Sequence, residues 1–195
     1  MNDTNNLNPP VILKQIEEAT KAIGFTMASD HLTGSLLRTL AAIRPAGKLL
    51  ELGTGTGLAT AWLLDGMDAH SKLLTMDNDE TVVSVARQYL AGDSRVTFHT
   101  MNSDVFLQSL LEQQQTFDLI FADTWPGKFW LLEETLSLLK NGGLYVIDDL
   151  LPQPNWPEGH ASKVAQLIAT LEQRSELRIT KLNWSTGLML AAKSN

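Results

Sequence analysis

The residues with the clearest chemical purpose form the run Leu49-Leu50-Glu51-Leu52-Gly53-Thr54-Gly55-Thr56-Gly57, an apolar stretch that passes through a glycine-rich turn into a helical pattern. Glycine lets backbone approach a ligand closely, and the helix start behind it offers free N–H groups. Such a turn is a cradle for a nucleotide-like ligand. Farther along, Leu73-Leu74-Thr75-Met76 ends in Asp77, where doubly wound folds place the carboxylate that accepts both ribose hydroxyls. Three more carboxylates close apolar runs: Asp123 after Leu119 to Ala122, and Asp148-Asp149 after Leu144 to Ile147. In a parallel sheet with ligands at the strand C-termini, these three converge beside the glycine turn. His160, with an ordinary pKa of about 6.5, is a candidate general base and equally a first helical residue without a role.

Positioning these groups requires a sheet. From Pro45 onward, short apolar runs alternate with longer amphipathic stretches, the pattern of βα units. Seven strands are expected, at Lys48 to Leu52, Lys72 to Met76, Arg95 to Thr100, Leu119 to Ala122, Leu144 to Ile147, Leu177 to Leu182 and Gly187 to Ala192. Helices are expected at Asp30 to Arg44, Gly57 to Asp65, Glu80 to Ala91, Asp104 to Gln113, Phe129 to Lys140 and His160 to Gln173. Asn141-Gly142-Gly143 reads as the C-cap of the fifth of these. The implied architecture is α/β, a mostly parallel seven-stranded sheet with helices on both faces. Residues 1–10, Asn-rich and ending in Pro-Pro, read as a flexible lead-in to a single domain over residues 11–195.

Composition narrows the function. The chain has 195 residues, 44% of them hydrophobic and 19% charged, with no apolar run near the roughly 20 residues a membrane span needs. The absence of cysteine excludes disulfides, thiolate zinc sites and cysteine nucleophiles, and agrees with a cytoplasmic protein. A formal charge of -7 opposes nucleic acid as a partner and favours a small-molecule substrate. Neither a P-loop nor a G-x-S-x-G turn is present.

The dinucleotide fingerprint G-x-G-x-x-G would put its third glycine one position later than Gly57. With Glu51 two residues before the first glycine, the turn instead resembles motif I of class I S-adenosylmethionine-dependent methyltransferases, which have a Rossmann-like fold. From about Met27 the chain is similar to the catechol and caffeoyl-CoA O-methyltransferase-like group. Thr33-Gly34-Ser35-Leu36-Leu37, Phe121-Ala122-Asp123-Thr124-Trp125, Val146-Ile147-Asp148-Asp149 and Thr186-Gly187-Leu188-Met189-Leu190-Ala191 carry the similarity with the two strand ends above. The resemblance implies that Asp77 holds the ribose of S-adenosylmethionine and that Glu51 and Gly53 line its methionine moiety. Thr54, Gly55 and Gly57 would complete the turn, Asn102, Ser103 and Trp125 would surround the adenine, and Asp123 would border the cofactor. It further implies Mg²⁺ or a similar ion on Asp123, Asp148 and Asp149, hard oxygen ligands suited to orienting and acidifying a hydroxyl. It also implies a homodimer joined by the early helices.

Two positions depart from the family pattern. Asp149 stands where the third metal ligand is usually Asn, and Pro126 stands where a catalytic Lys is usual, three residues after Asp123. Lys128 lies two residues beyond, past a Pro-Gly turn. The scheme that follows is O-methylation of a small hydroxylated, aromatic acceptor, with Asp123, Lys128 and His160 as catalytic candidates. The alternatives are a metal-independent methyltransferase for an N- or protein acceptor, a non-catalytic S-adenosylmethionine-binding module and, more distantly, a dehydrogenase.

Overall fold

A computed structural model describes residues 2–5 and 7–194; Met1 and Asn6 of the lead-in lie outside the described residues. Two helices, α1 (Leu13–Ala22) and α2 (His31–Ala42), precede an alternating series. It runs β1 (Lys48–Leu52), α3 (Leu58–Gly66), β2 (Lys72–Asp77), α4 (Glu80–Leu90), β3 (Val96–Thr100), α5 (Ser103–Glu112), β4 (Phe117–Ala122), α6 (Leu132–Leu138) and β5 (Leu139–Ile147). The chain closes with α7 (His160–Glu172), β6 (Leu177–Leu182) and β7 (Leu188–Lys193).

The seven strands form one sheet in the order β3-β2-β1-β4-β5-β7-β6. All neighbours pair parallel except β7, which runs antiparallel to both β5 and β6. This is the expected Rossmann-like arrangement. Chain order reverses between β1 and β4, which opens a crevice at their carboxyl ends, the place where such sheets bind ligands.

Central strands read as unbroken apolar runs because both faces are covered. Leu49, Leu119, Phe121 and Val146 pack on one face against Leu13 and Ile16 of α1, Leu37 of α2 and Trp62 of α3. Leu50, Leu52, Ile120 and Tyr145 pack on the other against Phe106 of α5, Leu136 of α6 and Leu167 of α7. Each such Leu, removed from water, stabilises the fold by about 1.5–3 kcal/mol. Local sequence sets the helix starts: Asp30, Asp79 and Asn102 turn side-chain oxygens onto the backbone N–H groups of Thr33, Thr81 and Asp104.

One expectation is corrected. The helix placed at Phe129 to Lys140 is α6, which stops at Leu138. Leu139 opposite Phe117 already belongs to β5, and Asn141-Gly142-Gly143 lies inside that strand at a register shift. Tertiary pairing overrides the C-cap signal there. Helix α1 was not delimited from sequence. The lead-in also docks: the Arg38 guanidinium donates to the carbonyls of Leu7 and Asn8, and Leu7 packs on the core. Among the described residues no helix is long and apolar enough to cross a membrane.

Candidate active site

Strand β1 delivers Gly53 and Thr54 to the crevice, where their N–H groups donate to the carbonyl of Met76 on β2. Gly53 has φ +103°, and a Cβ there would lie 2.9 Å from the carbonyl oxygen of Asp123. Only glycine lets the turn pass so close to the end of β4. Asp77 holds the far side of the turn: Oδ2 accepts the Gly55 N–H at 2.9 Å, while Oδ1 accepts those of Asn78 and Asp79. Its carboxylate still borders the cavity.

Glu51 sits beneath this turn. The two-residue period of β1 puts it on the face of Leu49, against α3, and it is fully buried. Its Oε2 accepts the hydroxyls of Thr60 and Thr75 at 2.6 Å each, and Thr75 is 2.6 Å from Thr54 Oγ1. Oε1 has no partner. Burial is the main cause that pushes its carboxyl up to about 8, against the smaller opposing effect of the two threonines. Glu51 is therefore a neutral buttress of the turn at neutral pH, lying beneath the cavity and not on its lining.

The acidic groups come from the next two strands. Because Ala122 pairs with Ile147, Asp123 and Asp148 leave β4 and β5 side by side. Asp123 Oδ2 accepts the Ser29 hydroxyl at 2.7 Å. Burial, then the charge of Asp148, raise its pKa to about 7, although Lys128 and Ser29 act in the opposite sense. Asp148 is 2% exposed, and its Oδ1 accepts the Asp149 N–H and the Thr186 hydroxyl. Burial is likewise the largest cause of its raised pKa. Asp149, with φ +63°, turns away: Oδ1 accepts the Trp156 indole N–H at 2.9 Å, and Oδ2 lies 3.7 Å from His160 Nε2.

This placement does not support the metal expectation. Among the described residues no three His, Cys, Asp or Glu side chains are grouped to hold a metal ion. Asp123 and Asp148 are adjacent, but Asp149 Oδ1 is held by the Trp156 indole N–H, and a buried ammonium, Lys128, shares the site. The three acids do not fit as a ligand set for a divalent ion.

An aromatic wall faces the acids. His160 packs 4.5 Å from Trp156, 5.1 Å from Phe129 and 5.6 Å from Trp125, measured between ring centroids. The ring is 3% exposed, and neither nitrogen has a hydrogen-bond partner. Burial lowers its pKa, with Asp149 opposing and Lys128 and Lys163 reinforcing the effect, so the neutral imidazole prevails.

These groups line one cavity of about 600 Å³, the size of small-molecule sites. Gly53, Thr54, Gly55, Asp77, Asp123, Trp125, Lys128, Asp148, Asp149 and His160 all border it. Gly57, Asn102 and Ser103 do not; the Asn102 side chain is spent on capping α5. Sequence reasoning missed Phe25, Met27 and Ser29, in the loop between α1 and α2, as well as Thr186. Residues 23–30 carry no periodicity or motif, so nothing in their types announced the site.

Comparison with known proteins settles the family. The profile of the O-methyltransferase family matches residues 3–194. The chain belongs to that family. Among relatives of this O-methyltransferase family member, a probable O-methyltransferase of Mycobacterium tuberculosis (Rv1220c) is 31% identical over 147 residues. That match covers 73% of this chain and 64% of the relative, so the chain matches under two thirds of the length of such curated relatives. Two solved structures share the fold. The O-methyltransferase TomG of Streptomyces achromogenes, in complex with S-adenosylmethionine, has a TM-score of 0.82 at 23% identity, covering 95% of this chain and 90% of its own. The O-methyltransferase of Bacillus cereus, in complex with S-adenosylhomocysteine, has a TM-score of 0.83 at 19% identity, covering 94% and 90%.

Proposed function

We propose that this chain transfers a methyl group from S-adenosylmethionine to a hydroxyl of a small, aromatic acceptor. The observation that carries the reading is the meeting, in one cavity, of the glycine turn held by Asp77 with the Asp123 carboxyl and an aromatic wall. Family membership and the cofactors bound by TomG and the Bacillus cereus protein support it.

The residues present fit the cofactor. A Cβ at Gly53 would strike the backbone of Asp123, so the turn is kept bare, and Asp77 presents a carboxylate for paired ribose hydroxyls. Trp125 offers a face for adenine. When bound, S-adenosylmethionine supplies a methyl group on a positively charged sulfur, which makes that carbon electrophilic.

The chain's own groups then have three tasks. Asp77 and the turn fix one end of the cavity, so the acceptor must approach from the aromatic end. Trp156 and His160, which border the cavity beyond Trp125, exclude water and orient a flat acceptor. Asp123, with a pKa of about 7, can take up the hydroxyl proton at Oδ1 or Oδ2 near neutral pH, and the neutral, unpartnered His160 can do so at a ring nitrogen.

The same reading places the chain in the cytoplasm, where S-adenosylmethionine is made, and in a homodimer; Val11, Ile23 and Ile43, exposed around the first two helices, support the latter. The test is calorimetry with S-adenosylmethionine, followed by incubation with a panel of phenols and catechols and measurement of S-adenosylhomocysteine. Saturable binding and acceptor-dependent product are expected. No affinity for S-adenosylmethionine in the folded chain would overturn the reading.

A further inference from the structure

Asp123 and Asp148 emerge from paired strands, so two carboxyl groups share the floor of the cavity. Two such groups need a counter-charge or a proton, because an uncompensated buried charge costs several kcal/mol. Lys128 supplies it. The residue is 3% exposed, and its Nζ donates to the Asp148 carbonyl at 3.0 Å, inside the cavity that both acids line.

The chain is built to bring that ammonium in. Pro126 and Gly127 fold back on Trp130, with the Gly127 N–H donating to the Trp130 carbonyl at 2.8 Å. The Lys128 N–H donates to the carbonyl of Trp125. Gly127 has φ +87°, and a Cβ there would lie 2.6 Å from Leu52 Cδ1, so the turn admits little but glycine. Its carbonyl is held from below by the buried Tyr145 hydroxyl at 2.6 Å. The turn thus carries Lys128 toward the acids.

The carboxylates meanwhile spend oxygen lone pairs on protein donors: Ser29 on Asp123, Thr186 and the Asp149 N–H on Asp148, and Trp156 on Asp149. We infer that the Lys128 ammonium is the resident cation of this site, in place of a divalent metal ion, and that the chain works without one. This rests on reading the cavity as a methyl-transfer site. The fixed charge keeps the acid pair in place and favours an ionised acceptor oxygen beside it.

The experiment uses the full chain stripped with chelator. It is titrated calorimetrically with Mg²⁺ and then Mn²⁺ in the presence of S-adenosylmethionine, and turnover is measured with and without chelator. No saturable metal binding and unchanged turnover are expected. Lys128→Met, of similar length but uncharged, should lose about a hundredfold in turnover while binding S-adenosylmethionine normally, and Lys128→Arg should recover part of that loss. Saturable Mg²⁺ or Mn²⁺ binding by the unaltered chain, or chelated protein whose turnover returns only with metal, overturns the inference. Wild-type turnover by Lys128→Met overturns it as well. Should Lys128→Met fail to fold, the metal titration and chelator arms on the unaltered chain decide alone. Failure to bind S-adenosylmethionine would instead defeat the methyl-transfer reading, which the metal titration does not touch.

Discussion

The Tyr145 hydroxyl donates to the Gly127 carbonyl at 2.6 Å, tying the centre of β5 to the turn that positions Lys128. Both groups are buried, so Tyr145→Phe leaves an unsatisfied carbonyl. A loss of about 1–3 kcal/mol is expected in urea denaturation. Turnover should fall further than S-adenosylmethionine affinity, since Asp77 and the glycine turn are untouched. Equal losses of both would show that the turn positions nothing.

Glu51 makes stability depend on pH. Its folded pKa, about 8, lies above the ordinary 4.5, so between those values the folded state keeps a proton that the unfolded state has released. Its stabilising contribution is full below about pH 4.5 and is lost progressively as pH rises from there through about 8, about 5 kcal/mol in all. Glu51→Gln preserves the shape and cannot titrate. Denaturation at several pH values should show the variant gaining on the unaltered chain as pH rises; Asp123 titrates in both proteins and cancels from the difference.

Gly53→Ala adds a Cβ 2.9 Å from a backbone carbonyl at a left-handed φ. Backbone cannot swing aside as a side-chain tip can, so a destabilisation of about 2 kcal/mol or more is expected. S-adenosylmethionine binding should disappear with it. A thermal melt and calorimetry on the same sample check both; a variant that binds normally would refute the close-approach argument.

Asp77→Asn is expected to weaken S-adenosylmethionine binding about 10- to 100-fold, from loss of charge-assisted hydrogen bonds to the ribose. The single amide oxygen of Asn can accept from Gly55 or from Asn78 and Asp79 but not from both sides, so a stability loss of about 1–3 kcal/mol is expected as well. Binding unaffected by the substitution would move the ribose elsewhere in the cavity.

His160→Gln separates acceptor from cofactor. The ring lies in the aromatic wall, away from the glycine turn, with both nitrogens free. An increase of about tenfold in acceptor KM is expected, with cofactor affinity unchanged. Steady-state kinetics with each substrate varied in turn would expose the opposite pattern.

The order of strands and helices was legible from residues alone because a sheet buried on both faces demands apolar runs, and Leu119 to Ala122 and Leu144 to Ile147 supply them unbroken, Leu49 to Leu52 with only Glu51 between. The glycine turn and Asp77 were legible for a similar reason: close backbone approach and ribose recognition each restrict the residue type at a fixed place in a βα unit. Where a segment satisfied two patterns, tertiary pairing chose. Leu139 to Gly143 carries a helix-stop signature and nevertheless joins β5, because an open sheet edge beside Phe117 is satisfied by strand pairing.

Side-chain direction was beyond the sequence. Glu51 looked like a ligand contact and became a buried buttress, since the parity of β1 aims it at Thr60 on α3. Asp148 and Asp149 are neighbours in the chain, yet the left-handed backbone at Asp149 sends its carboxylate to Trp156 while Asp148 stays beside Asp123 and Lys128. Ser29 reaches Asp123 across 94 positions. Residue types along the chain fixed which chemistry was on offer, because hydrophobic period and turn chemistry act locally. Which groups meet was decided by the packing of distant elements, and that decision set Asp148 beside Asp123 while Asp149 went to Trp156.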